Sequence, residues 1–185
     1  MEGRYRIWAG DSWREMPVPS LAGEALMLPA IAAVVSPVGD PDRLLLQRRD
    51  KPGEVVRGML EVPTGRWRAG EEALAAIRRE VAEETGVEVV DLLESHRLVE
   101  THEGRPFRVL EPALVVAGTG GAYPSLLVPL RCLGRGEPRP LPGETAEPRW
   151  VTRAEVVELV RTPTNFTGAS FPIVARWAQT QTSTV

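Results

Sequence analysis

The sequence GRWRAGEEALAAIRREVAEETGV, residues 65–87, combines a helix pattern with a regular spacing of glutamates. Residues 72–85 are rich in good helix formers, and Gly86 follows them, where glycine readily takes the left-handed conformation that ends a helix. At 100° per residue, three apolar side chains share one narrow stripe: Leu74, Ile77 and Val81. The pattern predicts a helix over residues 72–85 with this stripe against the core.

Three glutamates of this helix converge on one side of it. Glu80, Glu83 and Glu84 share an arc of roughly 100° that begins beside the apolar stripe. Like charges three or four residues apart destabilise a helix by about 0.3 kcal/mol for each pair. A hard divalent cation such as Mg²⁺, which takes oxygen ligands, offsets this repulsion, and Arg79 helps from one turn before Glu83. The alternative is a charged helix face exposed to solvent, which predicts no cation site.

The stretch also satisfies a longer signature at every specified position. The signature is G-x5-E-x7-R-E-U-x-E-E-x-G-U, where U is a bulky apolar residue. The matching residues are Gly65, Glu71, Arg79, Glu80, Val81, Glu83, Glu84, Gly86 and Val87. The stretch resembles the Nudix box, and on this resemblance the chain is identified as a member of the Nudix hydrolase superfamily. Members of that superfamily cleave nucleoside diphosphates linked to another moiety.

Two segments before the box extend the resemblance. Nudix proteins typically carry an apolar strand ending in arginine and then a segment like W-E-L-P-G-G. Here residues 44–49 read LLLQRR and residues 59–65 read MLEVPTG, with Glu61 where the family usually has glutamate. Thr64 replaces the more usual glycine or alanine. Because the family often binds metal through the peptide carbonyl at that position, Thr64 can keep the role.

The resemblance implies a site as well as a fold. The implied metal ligands, for Mg²⁺ or for Mn²⁺ in its place, are Glu80, Glu83, Glu84 and the carbonyl of Thr64. Arg79 would orient a box glutamate, either Glu71 or Glu83. A loop over residues 134–148 often brings in a further glutamate in this family, for which the candidates are Glu144 and Glu147. The general base is then Glu80 or a loop carboxylate such as Glu144, since family members differ in this role.

Composition limits the domain count and the classes of partner. The chain has 185 residues, of which 43% are hydrophobic, so one domain with extensions is expected. A net charge of −3 provides no basic surface of the kind that binds nucleic acid.

Cys132 is the only cysteine, which excludes an intrachain disulfide. No signal peptide or membrane-length apolar run is present. We expect a cytoplasmic protein that acts on a small nucleotide, with neither nucleic acid nor membrane as partner.

Apolar patterns along the rest of the chain predict an α/β fold. Strands are predicted at residues 26–38, 44–49, 60–63, 87–93, 97–102, 109–117, 126–133 and 149–151. Thr152 and Glu155 form a capping box that opens a second helix ending near residue 160, and residues 173–179 predict a third. We therefore expect an α/β/α sandwich, with a mixed β-sheet covered by helices on both faces, which is also the fold that the resemblance implies.

The first 24 residues predict an irregular arm. Tyr5, Trp8 and Trp13 lie there among charges and prolines. Their rings can cover the domain's own core, pack across a homodimer or stack on a nucleobase. After the arm at residues 1–24 we expect the Nudix hydrolase domain at 25–180 and a disordered tail at 181–185.

The box leaves the substrate open, because selectivity in this family lies in loops outside it. The arm resembles the N-terminal extension that in ADP-ribose pyrophosphatases supports a dimer and completes the substrate pocket, which favours ADP-ribose or a related nucleotide sugar. The first alternative is a (deoxy)nucleoside triphosphate, as for MutT-like pyrophosphohydrolases. The second is a noncatalytic nucleotide-binding Nudix module. Such modules often lose box glutamates, and this chain has lost none.

Overall fold

Strands and helices alternate along the chain in the order expected for layered α/β proteins. The computed structural model describes residues 4–9, 12–17, 19–94, 96–100, 106–119, 123–140 and 144–180. The strands, in chain order, are β1 (Arg4–Trp8), β2 (Trp13–Pro17), β3 (Ser20–Leu21), β4 (Glu24–Ala25), β5 (Leu28–Pro37), β6 (Arg43–Arg49), β7 (Leu60–Glu61), β8 (Thr64–Arg66), β9 (Glu88–Leu92), β10 (His96–Glu100), β11 (Pro106–Leu110), β12 (Val116–Gly118), β13 (Ser125–Arg135) and β14 (Thr145–Thr152). The helices are α1 (Ala73–Thr85), α2 (Arg153–Leu159) and α3 (Ser170–Gln179), with a short 3₁₀ helix at Pro163–Asn165.

Two sheets form the centre of the fold. The larger has the order β12-β13-β5-β8, and β9 also pairs with β13. β13 runs parallel to β5, whereas the other pairs in this sheet are antiparallel, so the sheet is mixed as predicted. The smaller sheet has the antiparallel order β14-β6-β7.

Helices cover both faces of β5, which explains why its sequence is almost entirely apolar. Successive side chains of a strand point to opposite faces. Alternate residues of β5 therefore enter two separate cores: Ala30, Ala32 and Val34 in one, and Ile31, Ala33 and Val35 in the other. α2 and α3 pack on the first core, and α1 packs on the second. This arrangement confirms the predicted α/β/α sandwich.

α1 occupies the predicted position and ends as predicted. Ile77 and Val81 of its apolar stripe are fully buried, and Leu74 packs at the edge of the same core. Gly86 adopts a left-handed φ of 70°, and its N–H donates to the carbonyl of Ala82. The helix therefore stops where the chain must turn into β9.

The predicted strand over residues 109–117 is wrong. The chain instead forms β11 and β12, separated by Glu111 to Val115. Pro112 cannot donate a backbone hydrogen bond, which interrupts a ladder at this point. β11 pairs with β10 in a separate hairpin, while β12 joins the edge of the larger sheet. The loop predicted over 134–148 is also shorter, because β13 continues to Arg135 and β14 begins at Thr145.

The N-terminal residues form regular structure, which the prediction of an irregular arm missed. β1 and β2 pair antiparallel with Trp8 opposite Trp13, and β3 and β4 form a second small hairpin. The side chains of Tyr5 and Trp8 lie outside the described part of the chain, as does the tail at 181–185. The adjacent Gly10 and Asp11 in the sequence are a turn signal that could have indicated the first hairpin. No helix in the described ranges is long and apolar enough to cross a membrane.

Candidate active site

The three glutamates at the C-terminal half of α1 meet different surroundings. The side chain of Glu80 is 14% exposed and Glu84 is 5% exposed, whereas the side chain of Glu83 is 59% exposed. Glu80 and Glu84 lie one turn apart and face inward, and Glu83 lies at the solvent edge. The predicted convergence on one helix side therefore gives one buried carboxylate, Glu84, one partly buried carboxylate, Glu80, and one exposed carboxylate, Glu83.

Glu84 is held by hydrogen bonds from two strands. Its Oε2 accepts from Nε2 of Gln47 in β6 at 2.7 Å and from the backbone N–H of Thr64 in β8 at 3.2 Å. Burial raises the pKa of Glu84 well above its ordinary value, and the neighbouring charge of Glu61 raises it further. The two donors fix the orientation of a carboxylate that the surroundings otherwise disfavour.

Glu61 is a second buried carboxylate beside Glu84. It lies opposite Gln47 in the β6–β7 pair and is 3% exposed. Burial raises the pKa of Glu61 to about 7, while the charges of Arg49 and Lys51 act in the opposite direction. Nη1 of Arg49 is 3.7 Å from Oε1 of Glu61, which is a weak ion pair. Oε1 of Glu61 and Oε1 of Gln47 are buried without a hydrogen-bond partner in the described structure.

Gly65 makes room for the carboxylate of Glu80. A Cβ atom at residue 65 would lie 1.8 Å from Cδ of Glu80, which is an impossible contact. Burial raises the pKa of Glu80, against the stabilising effect of the adjacent Arg79 guanidinium. The requirement for glycine at the start of the box is therefore a requirement for space beside α1.

Arg79 orients Glu71 through a bidentate ion pair. Its Nε and Nη2 donate to the two carboxylate oxygens of Glu71 at 2.9 and 3.0 Å, and Nη2 also donates to the carbonyl of Arg66. Nη1 forms an ion pair with Glu80, whereas Glu83 is 3.8 Å away. The sequence left Glu71 and Glu83 as possible partners of Arg79, and the structure shows that Arg79 binds Glu71. The same guanidinium lowers the pKa of Glu71.

Gln47, Glu61 and Glu84 form a buried polar cluster, and Glu144 lies at its rim. Its Oε2 lies 2.9 Å from Nζ of Lys51, and its carbonyl accepts from the N–H of Asp50 at 3.0 Å. The next residue, Thr145, donates its hydroxyl to the carbonyl of Glu84 at 2.9 Å. The loop before β14 is thereby tied to the end of α1.

Glu147, the other loop candidate, points away from the cluster. It forms an ion pair with Arg48 at 2.8 Å, and Arg48 alternates with Gln47 along β6. Side chains of neighbouring strand residues lie on opposite faces of the sheet. The structure therefore brings Glu144, and not Glu147, to the side that carries Gln47.

The positions of the oxygen atoms that could bind a metal decide whether a cation fits. Among the described residues no group of three or more His, Cys, Asp or Glu side chains is arranged so that it could hold a metal ion. Glu80 is engaged by Arg79 and Glu83 faces solvent, so the three box glutamates are not gathered. The two buried carboxylates of Glu61 and Glu84 nevertheless fit a hard cation together with Oε1 of Gln47, because two of these oxygens, Oε1 of Glu61 and Oε1 of Gln47, have no hydrogen-bond partner in the described structure.

Gln47, in this cluster, and Lys51, at its rim, were not predicted from the sequence as site residues. Gln47 is a fully buried polar residue that ends the apolar run of β6, and Lys51 begins the following loop. A polar residue within an otherwise apolar strand is a signal for a buried hydrogen bond. That signal was present in LLLQRR, but its partner is 37 positions along the chain.

The α/β/α sandwich, with a glutamate-rich helix packed over Gly65, defines a Nudix-type fold. The family model for the NUDIX domain matches residues 27–175. The chain belongs to the Nudix family and is a hydrolase of that family. Nudix hydrolases cleave pyrophosphate bonds of nucleotide derivatives, which states the general class of its activity.

Solved structures with this fold come from several organisms. The MutT NUDIX hydrolase of Burkholderia pseudomallei is 19% identical with a TM-score of 0.55, covering 81% of this chain and 97% of the other. The MutT protein of Methanosarcina mazei Go1 is 17% identical with a TM-score of 0.57, covering 85% and 96%. A NUDIX family hydrolase of Clostridium perfringens is 14% identical with a TM-score of 0.57, covering 83% and 97%. At these identities the likeness concerns the fold alone. No curated protein matches the chain.

Proposed function

We propose that the protein hydrolyses the pyrophosphate bond of a nucleoside diphosphate linked to another moiety, with Mg²⁺ as the cofactor and ADP-ribose or a related nucleotide sugar as substrate. The observation that carries the hydrolytic site is the buried carboxylate of Glu84, which Gln47 and the Thr64 N–H hold in place beside Glu61. Mn²⁺ is expected to substitute for Mg²⁺, since it prefers similar oxygen ligands.

The resemblance to the Nudix box supplies the proposed metal ligands, and the observed contacts support the other roles. Glu80, Glu83, Glu84 and the carbonyl of Thr64 would hold the cation. A bound cation neutralises charge on the pyrophosphate and makes water more acidic. Arg79 holds Glu71 and restrains Glu80, which keeps the start of the box against α1. Lys51 and Glu144 form a charged rim.

Two carboxylates remain candidates for the general base, Glu80 and Glu144. Glu80 is partly buried beside Gly65, and Glu144 lies on the loop that Thr145 ties to α1. The Glu→Gln variant of the base should lose the acidic limb of the pH profile of kcat, because that limb reports the base. The variant of the other residue should keep that limb even if its rate is lower.

The substrate class is supported by the N-terminal hairpin. Nε1 of Trp13 donates to the carbonyl of Pro52 at 2.7 Å, and Pro52 follows Lys51 directly. The hairpin therefore contacts the loop that forms the rim of the site. A second candidate, a (deoxy)nucleoside triphosphate, is favoured by two structurally similar proteins that are named MutT.

A hydrolysis panel with Mg²⁺ tests both substrate classes. ADP-ribose should give AMP and ribose 5-phosphate with the highest kcat/KM, whereas a triphosphate would give a monophosphate and pyrophosphate. A higher kcat/KM for a triphosphate would overturn the nucleotide-sugar assignment. Binding of nucleotides without any turnover would instead favour the noncatalytic module. The cytoplasmic location and a homodimer stay predictions from the sequence.

A further inference from the structure

The cluster of Gln47, Glu61 and Glu84 holds more acceptor oxygens than donors. Glu84 receives two hydrogen bonds, from Gln47 and from the N–H of Thr64. Arg49 forms an ion pair with Glu61, but the distance from its Nη1 to Glu61 is 3.7 Å. Its Nη2 donates instead to Glu54 at 2.8 Å. The two carboxylates are therefore only partly compensated.

Two buried oxygen atoms of the cluster have no hydrogen-bond donor in the described structure, Oε1 of Gln47 and Oε1 of Glu61. Gln47 is fully buried and Glu61 is 3% exposed, so neither atom is freely hydrated. Buried polar atoms in native proteins almost always have a partner, and an exception points to a bound water or ion. Both atoms belong to side chains that lie opposite each other in the β6–β7 pair.

A divalent cation fits this gap better than a water molecule. Carboxylate and side-chain amide oxygens are the ligands that hard cations take. A water molecule would supply two donors but no positive charge beside the two buried carboxyl groups. A cation supplies the missing partner and the missing positive charge at once.

We propose that Glu61 and Gln47 supply side-chain oxygens to the cation held by Glu84, so that the site has an inner pair of ligands from β6 and β7 beside the glutamates of α1. The proposal rests on the proposed function for the presence of the cation. It adds two ligands that lie outside residues 65–87. It also explains why a polar residue ends the apolar run of β6.

Mn²⁺ binding to the full chain, measured by calorimetry without substrate, tests the role of Glu61. Glu61→Gln should weaken Mn²⁺ binding by about tenfold or more, because losing even a residue that only supports the ligands of a metal site costs about that much. The matched control is Glu94→Gln, because the Glu94 side chain is also buried, at 2% exposed, and also pairs with an arginine, Arg131. Glu94 lies beside Trp177 of α3, on the face of the larger sheet opposite α1. That variant should keep the wild-type affinity. Wild-type affinity in Glu61→Gln would overturn the proposal.

Two substitutions of Gln47 separate a ligand from a residue that only positions Glu84. Gln47→Met removes both polar atoms and should weaken Mn²⁺ binding. Gln47→Glu adds a negative charge where Oε1 now lies, so it should lower the Tm of the cation-free protein and enlarge the Tm increase that Mn²⁺ causes. If Gln47 acts only through its N–H donor, Gln47→Glu repels Glu84 and weakens Mn²⁺ binding, which would overturn its role as a ligand.

Binding and hydrolysis can fail separately. A protein that hydrolyses no member of the panel, but loses Mn²⁺ affinity in Glu61→Gln, would refute the proposed function and support the inner ligands. A protein that hydrolyses nucleotide sugars, with equal Mn²⁺ affinity in Glu61→Gln and wild type, would refute the inner ligands and leave the proposed function standing.

Discussion

Glu83 and Glu84 are adjacent in the chain but differ in what their charge costs the folded protein. Glu84 is buried beside Glu61, so its charge is desolvated and repelled, whereas Glu83 is exposed to solvent. The same substitution at the two positions should therefore have different effects on stability, even if both positions serve one metal site.

Glu84→Gln and Glu83→Gln should each reduce turnover by orders of magnitude, because each removes a proposed charged ligand. In EDTA, Glu84→Gln should raise the Tm, since the substituted amide keeps the shape of the side chain without its buried charge. Glu83→Gln should leave the Tm nearly unchanged. Steady-state kinetics and thermal melts measure both effects. Near wild-type turnover at limiting Mg²⁺ in either variant would show that the assigned ligands are wrong.

Gly65→Ala should damage activity more than stability. The new Cβ would lie 1.8 Å from Cδ of Glu80, so the Glu80 side chain must move away from Arg79. Overpacking of this kind typically costs about 1–3 kcal/mol, and a flexible side chain places the effect at the lower end. We expect turnover to fall at least about tenfold, as for other displaced catalytic groups.

Gly168→Ala is the matched control for Gly65→Ala. No heavy atom lies within 4 Å of the Cβ position at Gly168. Its turnover and its Tm should equal those of wild type. Equal turnover in Gly65→Ala and Gly168→Ala would mean that the position of Glu80 does not matter for the reaction.

At the scale of elements, the sequence predicted those features whose signals are local. The end of α1 at Gly86 and the capping box of α2 depend on residues within four positions of each other, and both formed as predicted. The prediction of one strand at 109–117 was wrong because it gave the apolar composition more weight than Pro112. The N-terminal hairpin was not predicted because prolines and charges obscured the strand patterns of β1 and β2.

The capping box of α2 should show a defined dependence on pH. Hydrogen bonds from the Thr152 backbone and hydroxyl lower the pKa of Glu155 below its ordinary value. Its contribution to stability is therefore complete above the unfolded pKa of about 4.3 and is lost as the pH falls through the folded pKa. The stability difference between wild type and Glu155→Gln should narrow between about pH 5 and pH 3. Urea unfolding across this range measures it, and a constant difference would contradict the assignment.

At the scale of the whole molecule, the fold assembles the site from distant parts of the chain. The hydrogen bond from Gln47 to Glu84 joins residues 37 positions apart, and that from Thr64 joins residues 20 positions apart. Periodicity and motif spacing describe one element at a time, so they predicted the glutamates of α1 but not their partners. The pairing of β6 with β7, which places Glu61 beside Gln47, follows only from the packed sheets.

Divalent cations should stabilise the whole protein. A ligand that binds only the folded state raises stability by mass action, by about 2.7 kcal/mol at a hundred times its Kd. Millimolar Mg²⁺ or Mn²⁺ should therefore raise the Tm, and Ca²⁺ should bind without supporting turnover. Thermal melts with and without EDTA test this. A Tm that does not respond to any of these ions would favour a solvent-exposed charged helix face without a cation site.

The N-terminal hairpin of β1 and β2 contacts the loop at the rim of the site. Trp13 donates to Pro52, Asp50 donates to Glu144, and Lys51 between them pairs with the Glu144 carboxylate. Arg6 lies over the Trp13 ring at 5.3 Å. A change at Trp13 should therefore reach substrate binding through this loop.

Trp13→Ala should raise KM about fivefold and leave kcat nearly unchanged, because it removes one hydrogen bond of about 1 kcal/mol that orders the rim. Deleting residues 1–20 should raise KM further or break a homodimer. The control is Arg4→Ala, in the same hairpin, where Arg4 pairs with the exposed Glu15 at 3.6 Å. Unchanged KM and oligomeric state in both the deletion and Trp13→Ala would remove the argument for a nucleotide sugar. The panel would then decide between substrates by kcat/KM alone, because membership of the Nudix family does not depend on the hairpin.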